Sequence, residues 1–204
     1  MNDVDQTPAL PRELTELSEP VRAVGAPPDP ALPEPYRLRR ADPAGDAELV
    51  SGWMNRPHLA AAWESAWPPQ RWRRHLQAQL DGEYSRPYIC SVDQRPFGYL
   101  EIYRAAKDSI AVKYKADPHD MGIHVAIADP ADTNRGVSLA LMLPLMTSIF
   151  AGDTQCRRVM FDPDHRNMVA RNACERAGFE FLGEHDMSNR RMALYAIARS
   201  ALGL

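Results

Sequence analysis

The stretch from Met121 to Asp164 narrows the possible folds more than any other part of the chain. Its first eight residues, MGIHVAIA, alternate apolar side chains as a strand does. DPADTNRG (129–136) follows, small and polar, and turns directly into VSLALMLPLMTSIFA (137–151), an apolar run of helical length. CRRVMFDPD (156–164) reads as a strand again. Strand, helix and strand in succession predict a parallel pair joined by a right-handed crossover, within a sheet flanked by helices.

The remaining elements fit around that unit. YRLRRAD, from Tyr36, reads as a first strand, and AGDAELVSGWMN as a helix with Leu49, Trp53 and Met54 at helical spacing. RPHLAAAWESAW and PPQRWRRHLQAQLDG form two short helices or one broken one, ended by Gly82. RPYICSVD and PFGYLEIYRA make a hairpin, with Tyr99, Glu101 and Tyr103 on one face and Leu100 and Ile102 on the other. NMVARNACERAG is a helix stopped by Gly178, and FEFLGEHDM and RRMALYAIA a final strand pair. Eight of the 18 prolines fall in the first 35 residues, where no hydrophobic period is visible. Residues 1–34 are therefore expected to be an unordered tail and residues 35–204 the folded domain.

Composition excludes several functions. The net charge is −3 and Lys and Arg are scattered, which argues against nucleic acid or an anionic membrane as a partner. The apolar run at 137–151 is too short and too interrupted to span a bilayer. Cys90, Cys156 and Cys174 are odd in number and lack metal-ligand or disulfide spacing, so they read as reduced core thiols of a cytoplasmic protein, with no metal expected.

The loop before the long helix is a candidate phosphate seat. A helix N-terminus aims unpaired N–H groups at the loop, Gly136 lets an anion approach the backbone, Arg135 adds a charged contact, and Thr133 or Asn134 caps. An ordinary capped surface helix is the plainer reading of the same residues. Neither G-x-G-x-x-G nor a P-loop is present.

NRGVS after a strand, followed by a strand and NMVARNACERAGFEFLG, resembles the acyl-CoA-binding half of the GNAT N-acetyltransferases. Thr133, Gly136 and Ser138 match that family's loop pattern in degenerate form. The later motif matches at Asn167, Ala170, Ala173, Glu175, Arg176, Gly178 and Phe179 but has Cys174 where the family carries a tyrosine that protonates the departing thiolate. WMNRPHLAAAWE, RPYICSVDQRPFGYLEIYRAAKD, DPHDMGIHVAIAD and RRVMFDPDHRN further resemble the acyltransferases of hydroxamate siderophore assembly, of the aerobactin, alcaligin, mycobactin and desferrioxamine types. The resemblance implies an α/β (α+β) GNAT fold: a mixed, mostly antiparallel twisted sheet flanked by helices, splayed into a cleft for CoA. Relatives also have a proline where Pro144 stands, inside a helix that tolerates it by kinking.

That resemblance implies acyl transfer from acetyl-CoA or another acyl-CoA to an N-hydroxylated amine such as N-hydroxylysine, N-hydroxyornithine or N-hydroxycadaverine. His124 points away from the Ile123 and Val125 face, toward the cleft, as the catalytic base. Asp164 is expected to be a base or to orient His124, with Asp162 as competitor. Val125, Ile127, Asn134, Arg135, Gly136, Val137, Ser138, Asn167 and Arg171 are expected to bind the cofactor, partly through strand N–H groups. Asn55, His58, Trp63, Tyr99 and Glu101 are expected to line the acceptor side; the tryptophans serve equally well as core. Arg71 to His75 are read as a solvated helix face, while Arg190 and Arg191 are left undecided between an acceptor carboxylate and a CoA phosphate. An aminoglycoside-type N-acetyltransferase and a non-catalytic acyl-CoA sensor are the alternatives, and oligomeric state is left open.

Overall fold

The computed structural model describes residues 10–134, 137–188 and 190–204, with the backbone alone described at 133–134 and 137–139. Seven strands form one sheet in the order β1-β2-β3-β4-β5-β7-β6. They are β1 Tyr36–Arg40, β2 Ser85–Val92, β3 Arg95–Arg104, β4 Met121–Ile127, β5 Arg158–Phe161, β6 Glu180–Asp186 and β7 Arg191–Ala198. Every neighbouring pair is antiparallel except β4 and β5. The helices are α1 Glu19–Arg22, α2 Ala47–Met54, α3 Pro57–Trp63, α4 Pro69–Asp81, α5 Pro130–Asn134, α6 Val137–Gly152 and α7 Met168–Arg176. The predicted crossover is α6, which runs on through Pro144 and joins the parallel strands.

Alternation within the strands divides the core into two layers. Leu100, Ile102, Ile123 and Ile127 face Leu141, Leu145, Ile149 and Phe150 of α6 on one side. On the other side Ile89, Tyr99 and Ala126 meet Val50, Met54, Trp72 and Leu76 of α2 and α4. The face carrying Tyr103 continues that second layer with Tyr84, Ile110, Met160 and Leu194. His124 lies on this side, opposite Ile123, as the strand period requires.

The N-terminal segment differs from its expected unordered state. From residue 10 onward it lies against the domain, through contacts that carry no hydrophobic period. Leu14 N donates to Lys107 O at 2.9 Å, Ser109 N donates to Arg12 O at 2.9 Å, and Val24 is buried. Buried Arg104 donates to the carbonyls of Gly25 and Ala26, and Tyr88 Oη donates to Asp29 at 2.7 Å. Polar anchors and proline-fixed backbone hold it, helped by the scattered apolar residues Leu10, Val24 and Leu32, which form no continuous apolar face.

Candidate active site

The parallel pairing of β4 with β5 stops after Met121↔Val159 and Gly122↔Met160, whereas β4 pairs with β3 from Met121 to Ile127. The two parallel strands therefore part at Ile123, leaving one edge of β4 without a strand partner among the described residues. A cavity of about 490 Å³ opens beside this fork, with His124, Val125, Phe161 and Asp162 in its wall.

His124 is held between two carboxylates. Its Nδ1 lies 3.0 Å from Glu101 Oε2 and its Nε2 lies 3.1 Å from Asp162 Oδ1. Tyr103 stacks on the ring at 4.5 Å between centroids, and Trp63 meets it edge-on at 5.7 Å. Gly122 makes the Tyr103 position accessible, since a Cβ there would overlap the tyrosine ring. Arg12, from the segment expected to be a tail, donates from Nη1 to His124 Nε2 at 2.8 Å and from Nη2 to Asp162 Oδ2 at 2.7 Å. It also reaches Asp108 at 3.1 Å, and Asp108 accepts from Tyr84 Oη.

Burial opposes ionisation of Glu101, but hydrogen bonds from His124 and His75 outweigh it and hold the carboxyl well below its ordinary range. Asp162 is likewise depressed against burial by Arg12, His124 and Arg190. Burial and the Arg12 charge pull the His124 pKa down, yet Asp162 and Glu101 prevail and raise it. An ionised Glu101 only accepts, so Nδ1 keeps its hydrogen and the lone pair of the neutral ring is on Nε2. Nε2 therefore accepts from Arg12 when neutral and donates to Asp162 when protonated. The arrangement can take up one proton at Nε2.

Several expected residues fall elsewhere. Asp164 is not joined to His124: its carboxylate holds Arg166 through Nε at 2.9 Å and Nη2 at 3.1 Å, and it lines the cavity further out. Asp162, which leaves β5 two residues earlier, is the carboxylate that meets His124, at 3.1 Å from Nε2. Tyr99 is fully buried behind Glu101, donating to Oε1 at 2.8 Å, with Gln79 and His75 on the same oxygen. His58 donates to Ile127 O at 3.1 Å and Arg56 to Ala128 O at 2.5 Å, so the motif around them fastens α3 to the end of β4. Asn55 donates to the carbonyls of Ser51 and Trp67.

On the cofactor side, Arg135 and Gly136 lie outside the described residues, as do the side chains of Asn134, Val137 and Ser138. Val125 and Asn167 line the cavity, Asn167 also capping α7 by accepting from Ala170 N at 3.1 Å. Ile127 packs into the core, and Arg171 is engaged by Glu184 and the His165 carbonyl. Arg190 donates to Asp162 Oδ2 at 2.6 Å; Arg191 pairs with Glu184 at 3.0 Å. Arg12, Asp108, Tyr103 and Tyr84 carry no sequence signal as a group, since three separate segments bring them together.

The acetyltransferase (GNAT) domain family matches residues 42–187. A lysine N-acyltransferase, MbtK, of Mycobacterium sp. (strain MCS) is 62% identical over 202 residues, which cover 98% of this chain and 83% of that protein. The N(6)-hydroxylysine O-acetyltransferase of Escherichia coli is 27% identical over 163 residues, covering 80% of this chain and 52% of that protein. The solved aminoglycoside acetyltransferase AAC(6′)-Ib in complex with coenzyme A superposes with a TM-score of 0.74 at 24% identity, over 82% of this chain and 97% of the other. The matching domain over residues 42–187 and a relative 62% identical over 98% of this chain leave one conclusion: the chain belongs to the GNAT acetyltransferase family and, within it, to the lysine N-acyltransferases.

Proposed function

We propose that the enzyme transfers an acyl group from acyl-CoA to the terminal nitrogen of an N-hydroxylated lysine-like amine, forming a hydroxamate for siderophore assembly. The observation that carries this reading is His124, poised between Glu101 and Asp162 at the fork of β4 and β5. The free edge of β4 suits the amides of a pantetheine arm, which pair with backbone as a strand would. In a ternary complex the acceptor nitrogen attacks the thioester carbonyl, a C–N bond forms, and the nitrogen's proton passes to His124 Nε2. The C–S bond then breaks. No tyrosine is available at Cys174, whose buried thiol is pushed up in pKa by burial, so CoA leaves as thiolate and takes its proton from solvent.

A hydroxylamine nitrogen is largely unprotonated at neutral pH, so the base acts on the intermediate and need not strip an ammonium first. Steady-state release of CoA thiol tests the reading, with N6-hydroxylysine, lysine and an aminoglycoside offered against acetyl-, succinyl- and longer acyl-CoAs. Turnover fastest with the hydroxylated amine is expected. Preference for the aminoglycoside, or no thiol release with any amine, would overturn it.

A further inference from the structure

We propose that Arg71, stacked on Trp67, seats a carboxylate of the acceptor, so that the enzyme selects an amino acid over a plain diamine. This rests on the hydroxylamine reading above and narrows it. Arg71 and His124 line the same cavity. The Arg71 guanidinium carbon lies 4.0 Å from the Trp67 ring centroid. Contact with the ring face restricts the guanidinium while using none of its N–H donors in a carboxylate pair, so its fork remains available to both oxygens of a carboxylate.

The charge pattern of the wall points the same way. Arg12 and Arg190 are both committed to Asp162. Glu101 is taken up by His75 and His124, and Asp164 by Arg166. Among the described residues Arg71 has the Trp67 face and no carboxylate. A ligand carboxylate thus meets an uncommitted cation, whereas a second ligand ammonium would have to displace an existing partner from each of these anions.

The platform is anchored. The Trp67 carbonyl accepts from Ser51 Oγ at 2.7 Å and from Asn55 Nδ2 at 3.0 Å, and its ring packs on Trp72 at 5.1 Å and His75 at 5.3 Å. His75 touches Glu101 at 3.2 Å, and Glu101 touches His124 at 3.0 Å. Trp67, His75, Glu101 and His124 therefore set the separation between cation and base. A fixed separation is what selection of an amine at a set distance from a carboxylate requires. Asn55, though it does not line the cavity, acts on the acceptor side by holding this platform.

N6-hydroxylysine and N-hydroxycadaverine differ by the carboxylate alone, so the ratio of their kcat/KM values isolates its recognition. The wild-type enzyme, assayed with the acyl-CoA it turns over fastest, is expected to favour hydroxylysine. Arg71→Met, which keeps the stem on Trp67, should bring that ratio down by about 10- to 100-fold, mainly through KM for hydroxylysine. Arg71→Lys, which keeps the charge without the fork, should recover part of it. A folded Arg71→Met enzyme with the wild-type ratio, or a wild-type enzyme indifferent to the carboxylate, would overturn the assignment. Failure of wild type to acylate either compound would instead sink the hydroxylamine reading beneath it.

Discussion

His124 Nε2 faces two partners that want opposite things of it. Arg12 donates to the lone pair at 2.8 Å, and Asp162 at 3.1 Å accepts once a proton is there. Taking the proton therefore exchanges one partner for the other without moving the ring. Loss of the proposed base in His124→Gln should lower turnover by roughly 10²- to 10⁴-fold with acyl-CoA binding retained. Asp162→Asn should be severely impaired and Asp164→Asn should not, because Asp164 is spent on Arg166; comparable losses in both would return Asp164 to the site. Arg12→Met removes a cation that opposes protonation of His124 and leaves Asp162, Glu101, Tyr103 and, one step out, His75, Asp108, Tyr84 and Arg190 around it. The His124 pKa should then rise further, and the acidic limb of kcat/KM should move to higher pH. An unmoved limb in the folded variant would reduce Arg12 to a tether. Alternation put His124 on the face opposite Ile123 and Val125, and the family resemblance supplied its expected role. Arg12 was not legible, since nothing local distinguishes one arginine in a proline-rich segment.

The elements were largely readable and their junctions were not. Periodicity of 2 and 3.6, with Gly82 and Gly178 as stops, located every strand and the long helices close to where they lie. The fork between β4 and β5 left no such mark: MGIHVAIA would read the same if both strands stayed paired throughout. Tyr103 packs across Gly122 at the last paired position and stacks on His124 just beyond it. Gly122→Ala should push that ring away and cost about 1–3 kcal/mol of stability as overpacking does, with activity falling further than the melting temperature explains. The N-terminal segment escaped notice because buried polar anchors hold it. Deleting residues 2–34 removes Arg12, the carbonyls on Arg104 and the Asp29 partner of Tyr88 together. That truncation should lower both melting temperature and turnover; a variant as stable and active as the full chain would restore the expectation of an unordered tail.

Across the whole molecule, the second core layer has a polar centre, and its charges tie stability to pH. Glu101 and Asp162 have depressed pKa values when folded, held down against burial by His124, His75, Arg12 and Arg190. Their contribution to stability is present above the unfolded carboxylate range, near pH 4, and is lost as pH falls through the lower folded values. His124 is raised, burial being outweighed by Asp162 and Glu101. Its contribution is full below about pH 6.5, the unfolded value, and is lost as pH rises through the higher folded one. The cluster therefore stabilises the fold most between about pH 4.5 and 6.5, where both carboxylates are ionised and the ring is charged. Catalysis needs the opposite state of the ring, because a base must start neutral. The melting temperature should accordingly decline on the alkaline side of this window while turnover climbs, and His124→Gln should abolish that decline together with the acidic limb of the rate profile. A melting temperature that falls equally with pH in wild type and His124→Gln would mean that the charged ring contributes nothing to holding the two carboxylates together.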